Sequence, residues 1–209
     1  MGESMGGAIV LSLANSQKNL PIDGIILIAP ALWNFSQTNT FKSFTMKVFS
    51  NIFPKLKISG KSWVDVKASD NIQILKELSN DPLFVHEPNF RSLYGIIRLM
   101  DVSYEDSLNF FKNPNYETLL LVPVRDEIVP RKPLLKLLEN ENVKKNLNNQ
   151  IKLGVYNFSY HMMLRDIQGD FISREIKEWI FDKDSVLNLK SFTNSLKKLQ
   201  NKKFYHILD

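Results

Sequence analysis

The chain has 209 residues, 44% of them hydrophobic and 23% charged, which is enough for one packed domain and excludes wholesale disorder. It has no Cys, so disulfides, thiolate metal sites and a cysteine nucleophile are excluded, and its three histidines, His86, His161 and His206, match no metal-ligand spacing. The net charge of +5 comes with no nucleic-acid motif, no apolar run near the roughly 18 residues of a membrane span and no signal-peptide pattern, so a cytoplasmic protein without nucleic-acid partners is expected.

Met1–Gly7 reads as a Gly-rich turn. Ala8–Asn19 reads as a helix whose apolar residues Ile9, Val10, Leu11, Leu13 and Ala14 predict burial nearly all round. Gly24–Ala29 is a short apolar run between Pro21 and Pro30, the look of a central parallel strand. Residues 33–113 are too long for a loop and carry helical stretches at Phe41–Phe53, Asn71–Leu78 and Phe90–Met100, which predicts a helical cap over one end of a sheet. Thr118–Pro123 and Ile151–Tyr156 are two further strand candidates. Pro133–Glu139 lies between them as a short helix, and Phe171–Phe181 follows as an amphipathic helix. Strands alternating with helices predict an α/β fold with a parallel sheet.

The last stretch, 182–209, holds six Lys and three Asp, hence +3 of the +5. Its apolar Leu189, Phe192, Leu196 and Leu199 follow helical 3-4 spacing. Such a basic amphipathic tail reads as an ordinary solvated helix, with peripheral contact to an anionic membrane as the sharper alternative.

Gly2-Glu3-Ser4-Met5-Gly6 is a G-x-S-x-G pattern running straight into an apolar helix. In that geometry the serine sits on a sharp strand-to-helix turn, and side chains at Gly2 and Gly6 are expected to collide with the strand and helix around it. Ser4 then lies at a helix N-terminus, and the Met5 N–H points at the place where an oxyanion would form. A nucleophilic serine needs a base, and the base needs an orienting carboxylate. Asp126 stands just past the strand TLLLVP, in PVRDEIVP, with Glu127 as the runner-up. His161 stands just past the third strand, in YNFSYHMMLRD, whereas His86 lies inside the cap and His206 in the tail. Ser4, Asp126 and His161 thus occur in the chain order Ser, acid, His, each at the edge of a parallel sheet where ligands bind.

At these residues the sequence resembles the α/β-hydrolase superfamily, and within it the monoglyceride lipase and lysophospholipase-like serine hydrolases. The segments carrying the resemblance are GESMGGAIVLSLA, DGIILIAPALW, SDNIQILKELSNDPL, LYGIIRLMD, LLLVPVRDEIVP and YHMMLRD. The resemblance implies Ser4 as nucleophile, Asp126 as acid and His161 as general base, acting on fatty-acyl esters through an acyl-enzyme, with no metal or organic cofactor. It divides the chain into a core of 1–32 and 114–181, a lid at 33–113 and the tail at 182–209. It also implies an acyl pocket in the lid, for which Phe41, Phe44, Phe49, Phe53, Leu93, Ile96, Ile97 and Met100 are candidates, with plain cap core as the alternative for each.

The chain departs from the pattern in three places. Val122-Pro123 stands where relatives carry His-Gly, and Phe158 stands where they often carry Gly. The family's fold also runs through several strands before the elbow, whereas three residues precede Ser4 here. The expectation is therefore the C-terminal part of the fold, with strand 24–29 left unpaired at one edge and the second oxyanion donor, which the family takes from a loop upstream of the elbow, absent. A complementing N-terminal fragment would be its partner, and the chain alone is expected to be impaired. The competing functions are a non-catalytic remnant that binds lipid or protein through cap and tail, and a peptidase or transacylase on the same elbow.

Overall fold

The computed structural model describes residues 1–57 and 66–201. Three apolar runs become parallel strands: β2 (Ile25–Ile28), β3 (Thr118–Pro123) and β4 (Ile151–Tyr156). A two-residue strand, β1 (Gly2–Glu3), joins them, in the order β1-β2-β3-β4. Every residue of β2, β3 and β4 is buried, because helices cover both faces of the sheet. The strand alternation divides the core in two. Leu27, Leu120, Val122, Leu153 and Val155 face one layer, while Ile26, Ile28, Leu119, Leu121 and Tyr156 face the other. Each such side chain contributes about 1.5–3 kcal/mol by leaving water.

A strand of two residues leads into the elbow. Gly2 pairs with Leu27 and Glu3 with Ile28, so the expectation of a wholly unpaired β2 edge is corrected. The helix that follows, α1 (Met5–Ser16), is also not buried all round. Ala8, Leu11 and Ala14 enter the core, but Ile9 and Leu13 are exposed, because sheet and neighbouring helix cover only one side of it.

The insert contributes α2 (Phe35–Thr38), α3 (Thr40–Ile52), α4 (Ile72–Asn80) and α5 (Phe90–Lys112). The last of these runs well beyond the expected Phe90–Met100. Asp101, Ser103, Asp106 and Ser107 break the apolar stripe in the sequence, yet these polar groups have partners. Ser12 donates to Ser103 at 3.2 Å, Asn15 donates to Asp106 at 2.9 Å, and Ser36 Oγ donates to Asp101 at 2.5 Å. Tyr104, Phe110 and Phe111 then pack into the core beside α1, so the second half of α5 is built into the body of the protein.

After β3 come α6 (Arg131–Leu138) and the short α7 (Glu141–Lys144), and after β4 comes α8 (Gly169–Phe181). Ile172, Ile176 and Trp179 of α8 cover the second face of the sheet. Tyr156, the last residue of β4, donates to Glu175 of α8 at 2.5 Å, and burial pushes both groups to raised pKa values.

The tail corrects a further expectation. Within 182–201 it forms a 3-10 turn at Ser185–Asn188 and a six-residue helix, α9 (Ser195–Gln200), in place of one continuous amphipathic helix. Val155 N–H donates to Ser191 O at 2.8 Å, and Phe192 and Leu199 are buried against the sheet. Phe192 fits there because residue 154 is glycine; a Cβ would lie 2.9 Å from the ring. Among the described residues of the tail, Val186, Phe192 and Leu199 are used inside the protein. His206 lies outside the described residues. Among the described residues, no helix is long and apolar enough to cross a membrane.

Candidate active site

The elbow between β1 and α1 holds Ser4 at φ 51°, ψ −120°, a strained conformation for a residue with a Cβ. Four backbone hydrogen bonds fix it there. Ser4 N–H donates to Ile28 O at 2.9 Å, and Ser4 O accepts from Gly7 N at 3.0 Å, Ala8 N at 3.3 Å and Ala31 N at 2.9 Å. The glycine pattern is only partly as expected. A Cβ at residue 2 would lie 2.5 Å from Gly6 O, and one at residue 7 would lie 2.9 Å from Pro30 Cβ, whereas a Cβ at residue 6 meets nothing within 4 Å. Close approach therefore requires Gly2 and Gly7 and places no such demand on Gly6. Met5 opens α1, so its N–H has no intrahelical acceptor and stays available beside Ser4.

The structure brings the three sequence candidates together. His161 Nε2 lies 2.8 Å from Ser4 Oγ, and His161 Nδ1 lies 2.7 Å from Asp126 Oδ2. A carboxylate can only accept, so Nδ1 carries the proton toward Asp126 and Nε2 is left to accept from the Ser4 hydroxyl. Asp126 is pinned by its other oxygen, which accepts from Ile128 N at 2.8 Å and Val129 N at 2.9 Å. The acid and histidine loops are tied to each other, since Val124 N donates to Tyr156 O and Arg125 N to Ser159 O, both at 3.0 Å. His161 itself is buried. Glu127, the alternative acid, turns away and accepts from Lys67 N at 2.7 Å. An arrangement of this kind can deprotonate a hydroxyl as it attacks and return the proton to a leaving group.

Ser4 opens into a cavity of about 520 Å³ whose apolar walls are Leu75 and Leu78 of α4 together with Phe84, Ile128 and Met162. None of the eight lid residues expected to form a pocket lines it. His86, a residue of the cap segment, is on this wall, with its ring tilted against Phe84 and the centroids 5.0 Å apart. The i, i+3 spacing of Leu75 and Leu78 was the available signal for this wall.

A carboxylate missed in the sequence joins this wall to the histidine. Buried Asp166 accepts from Ser69 Oγ at 2.7 Å and Tyr160 N at 2.7 Å, and from Asp70 N at 3.3 Å. Met162 N donates to Ala68 O at 2.9 Å alongside. The segment leading into α4 is thus clamped to the loop that carries His161. Burial pushes the Asp166 carboxyl above its ordinary value of 3.8, against the lowering effect of those hydrogen bonds. The native state then holds a proton that the unfolded chain has released, so stability falls as pH rises from 3.8 through the raised native value. Asp166→Asn keeps one acceptor oxygen, so its amide N–H comes to face either Tyr160 N–H or Asp70 N–H, and the change is expected to lower stability by about 1–3 kcal/mol. It is also expected to remove part of that fall with pH, leaving the same-signed part due to Glu175. Thermal unfolding across pH checks both outcomes.

A family model described as Serine aminopeptidase, S33 matches residues 1–168. Phospholipase YtpA of Bacillus subtilis (strain 168) is 26% identical over 136 residues, covering 65% of this chain and 51% of that protein. The chain thus spans about half the length of this curated relative. Among solved structures, the Paleococcus ferrophilus monoacylglycerol lipase superposes with a TM-score of 0.66 at 24% identity, over 86% of this chain and 66% of that one. A soluble variant of the Saccharomyces cerevisiae monoglyceride lipase, in complex with a substrate analogue, gives 0.65 at 18% identity, over 88% and 61%. With a parallel sheet flanked by helices, an elbow serine and a family match over most of its length, the chain belongs to the family described as Serine aminopeptidase, S33, and carries the α/β-hydrolase fold.

Proposed function

We propose that the protein is a serine hydrolase of fatty-acyl esters, with a monoacylglycerol or a lysophospholipid as substrate. The observation carrying this reading is the continuous chain Ser4–His161–Asp126, with contacts of 2.8 and 2.7 Å. Ser4 Oγ attacks the acyl carbonyl while its proton passes to His161 Nε2. Asp126 stabilises the imidazolium, and the Met5 N–H donates to the developing oxyanion. His161 then protonates the departing alcohol, leaving an acyl group on Ser4. Water, deprotonated by His161, attacks that ester, and the acid leaves as the serine regains its proton.

The apolar wall of Leu75, Leu78, Phe84, Ile128 and Met162 suits an acyl chain better than a peptide. That choice also follows the relatives, which are a phospholipase and two monoacylglycerol lipases. Turnover of monoacylglycerols, lysophospholipids, short p-nitrophenyl esters and aminoacyl anilides checks it. Long-chain acyl esters are expected to give the highest kcat/KM. Cleavage of anilides without esterase activity would replace this reading with a peptidase.

A further inference from the structure

A second cavity, of about 470 Å³, shares no lining residue with the cavity at Ser4. Its walls come from the chain after β2, from the start of α3 and from the first turns of α6. Lys42 of α3 and Lys132 and Lys136 of α6 line it, and among the described residues no Asp or Glu does. Residues 31–57 and 128–138 contain no Asp or Glu at all. Glu105 of α5 accepts from Gln37 at 3.4 Å and lies outside the lining. Such a lining concentrates positive potential in a concave site. Two helices also begin here. Asn39, the N-cap of α3, and Pro130, the N-cap of α6, both line the cavity. Pro130 has no side-chain group that can cap, and the Asn39 amide turns away to donate to Thr38 Oγ1 at 2.9 Å. Neither first turn carries an acid. Instead Lys42 stands in the first turn of α3 and Lys132 in that of α6, where the helix dipole disfavours a cation. An anion in the cavity meets both helix ends and the lysines together, which accounts for cations set against both dipoles.

The rest of the lining suits a hydroxylated ligand. Asn34 lines the cavity and is only 6% exposed. Its Nδ2 donates to Gln37 Oε1 at 3.0 Å, while its Oδ1 has no donor among the described residues and is left to accept from a ligand. Trp33 Nε1 donates to Thr38 Oγ1 at 3.1 Å, and its ring meets Phe35 edge to face with centroids 4.9 Å apart. The indole is thereby fixed in the wall as a flat apolar surface beside a few placed polar groups. We propose that this cavity binds a small phosphomonoester with free hydroxyls, a polyol or sugar phosphate. The phosphate lies at the three lysines and the two helix ends, one hydroxyl donates to Asn34 Oδ1, and the carbon skeleton packs on Trp33. Inorganic phosphate leaves Asn34 and Trp33 unused, and a fatty-acyl chain is unsuited to three ammonium groups.

Binding needs no hydrolysis, so its outcome is independent of the proposed reaction. The test is titration of the full chain with glycerol 3-phosphate, glucose 6-phosphate and inorganic phosphate, followed by calorimetry and by tryptophan fluorescence. The two esters separate a lipid head-group fragment from a free sugar phosphate. At least one ester is expected to bind one to one and more tightly than inorganic phosphate, and added salt should weaken it. K42Q/K136Q is expected to lower that affinity at least about tenfold, because two charge-assisted contacts are lost. Both lysines are exposed, so circular dichroism and thermal unfolding should match the parent chain. Ser4→Ala and the charge-matched K177Q/K190Q, whose lysines lie outside the lining, are expected to bind as the parent does. Saturation absent from both readouts with either ester, inorganic phosphate binding as tightly as both esters, or an equal loss in K177Q/K190Q would each overturn the proposal.

Discussion

In the chain complemented by an N-terminal segment, Ser4→Ala is expected to eliminate covalent capture by a fluorophosphonate and to lower ester turnover by on the order of 10⁶-fold. The size of the effect follows from the site. Among the described residues, Ser4 carries the hydroxyl that lies against His161 Nε2, at 2.8 Å. The fold should be unaffected. The Ser4 hydroxyl bonds only within the site, and the strained φ of 51° is held by backbone contacts that alanine retains. Thermal unfolding should therefore stay near the parent value while labelling vanishes. Labelling that survives the substitution would mean that another residue is the nucleophile.

Asp126→Asn is expected to give the second largest loss, about 10⁴-fold in kcat with little change in KM. Two backbone N–H groups, from Ile128 and Val129, hold one oxygen of the side chain, and in the variant they select the amide oxygen for that place. The amide nitrogen then faces His161 Nδ1 and donates to it. The imidazole must accept at Nδ1 and carry its proton on Nε2, where it can no longer take the Ser4 proton. Steady-state kinetics read this directly. A variant with undiminished kcat would show that Asp126 does not set the tautomer.

Much of this site was legible in the sequence because its parts are local. An elbow writes its own motif, since residue 2 must approach Gly6 O too closely for any side chain. Strands buried on both faces write continuous apolar runs, so β3 and β4 fall on the expected residues. Placement just past those strands then selects Asp126 and His161. The misses share one cause. Periodicity says which residues lie on one face of a helix, but not what that face meets. The apolar stripes of α3 and of the tail look alike in sequence, yet one is exposed and the other packs on the sheet. The same limit moved the pocket from the phenylalanines of α3 to Leu75 and Leu78 of α4. Asp166 was missed because an isolated aspartate after the histidine carries no signal of its own. Its meaning comes from Ser69, Asp70 and Tyr160, brought to it across the fold.

The most direct test of the central claim is mass spectrometry of the full chain after reaction with a fluorophosphonate. With a complementing N-terminal segment supplied, one adduct is expected, on the peptide containing Ser4, with His161→Ala reducing its yield. An adduct confined to any other residue would contradict the assignment of Ser4 and His161 as nucleophile and base.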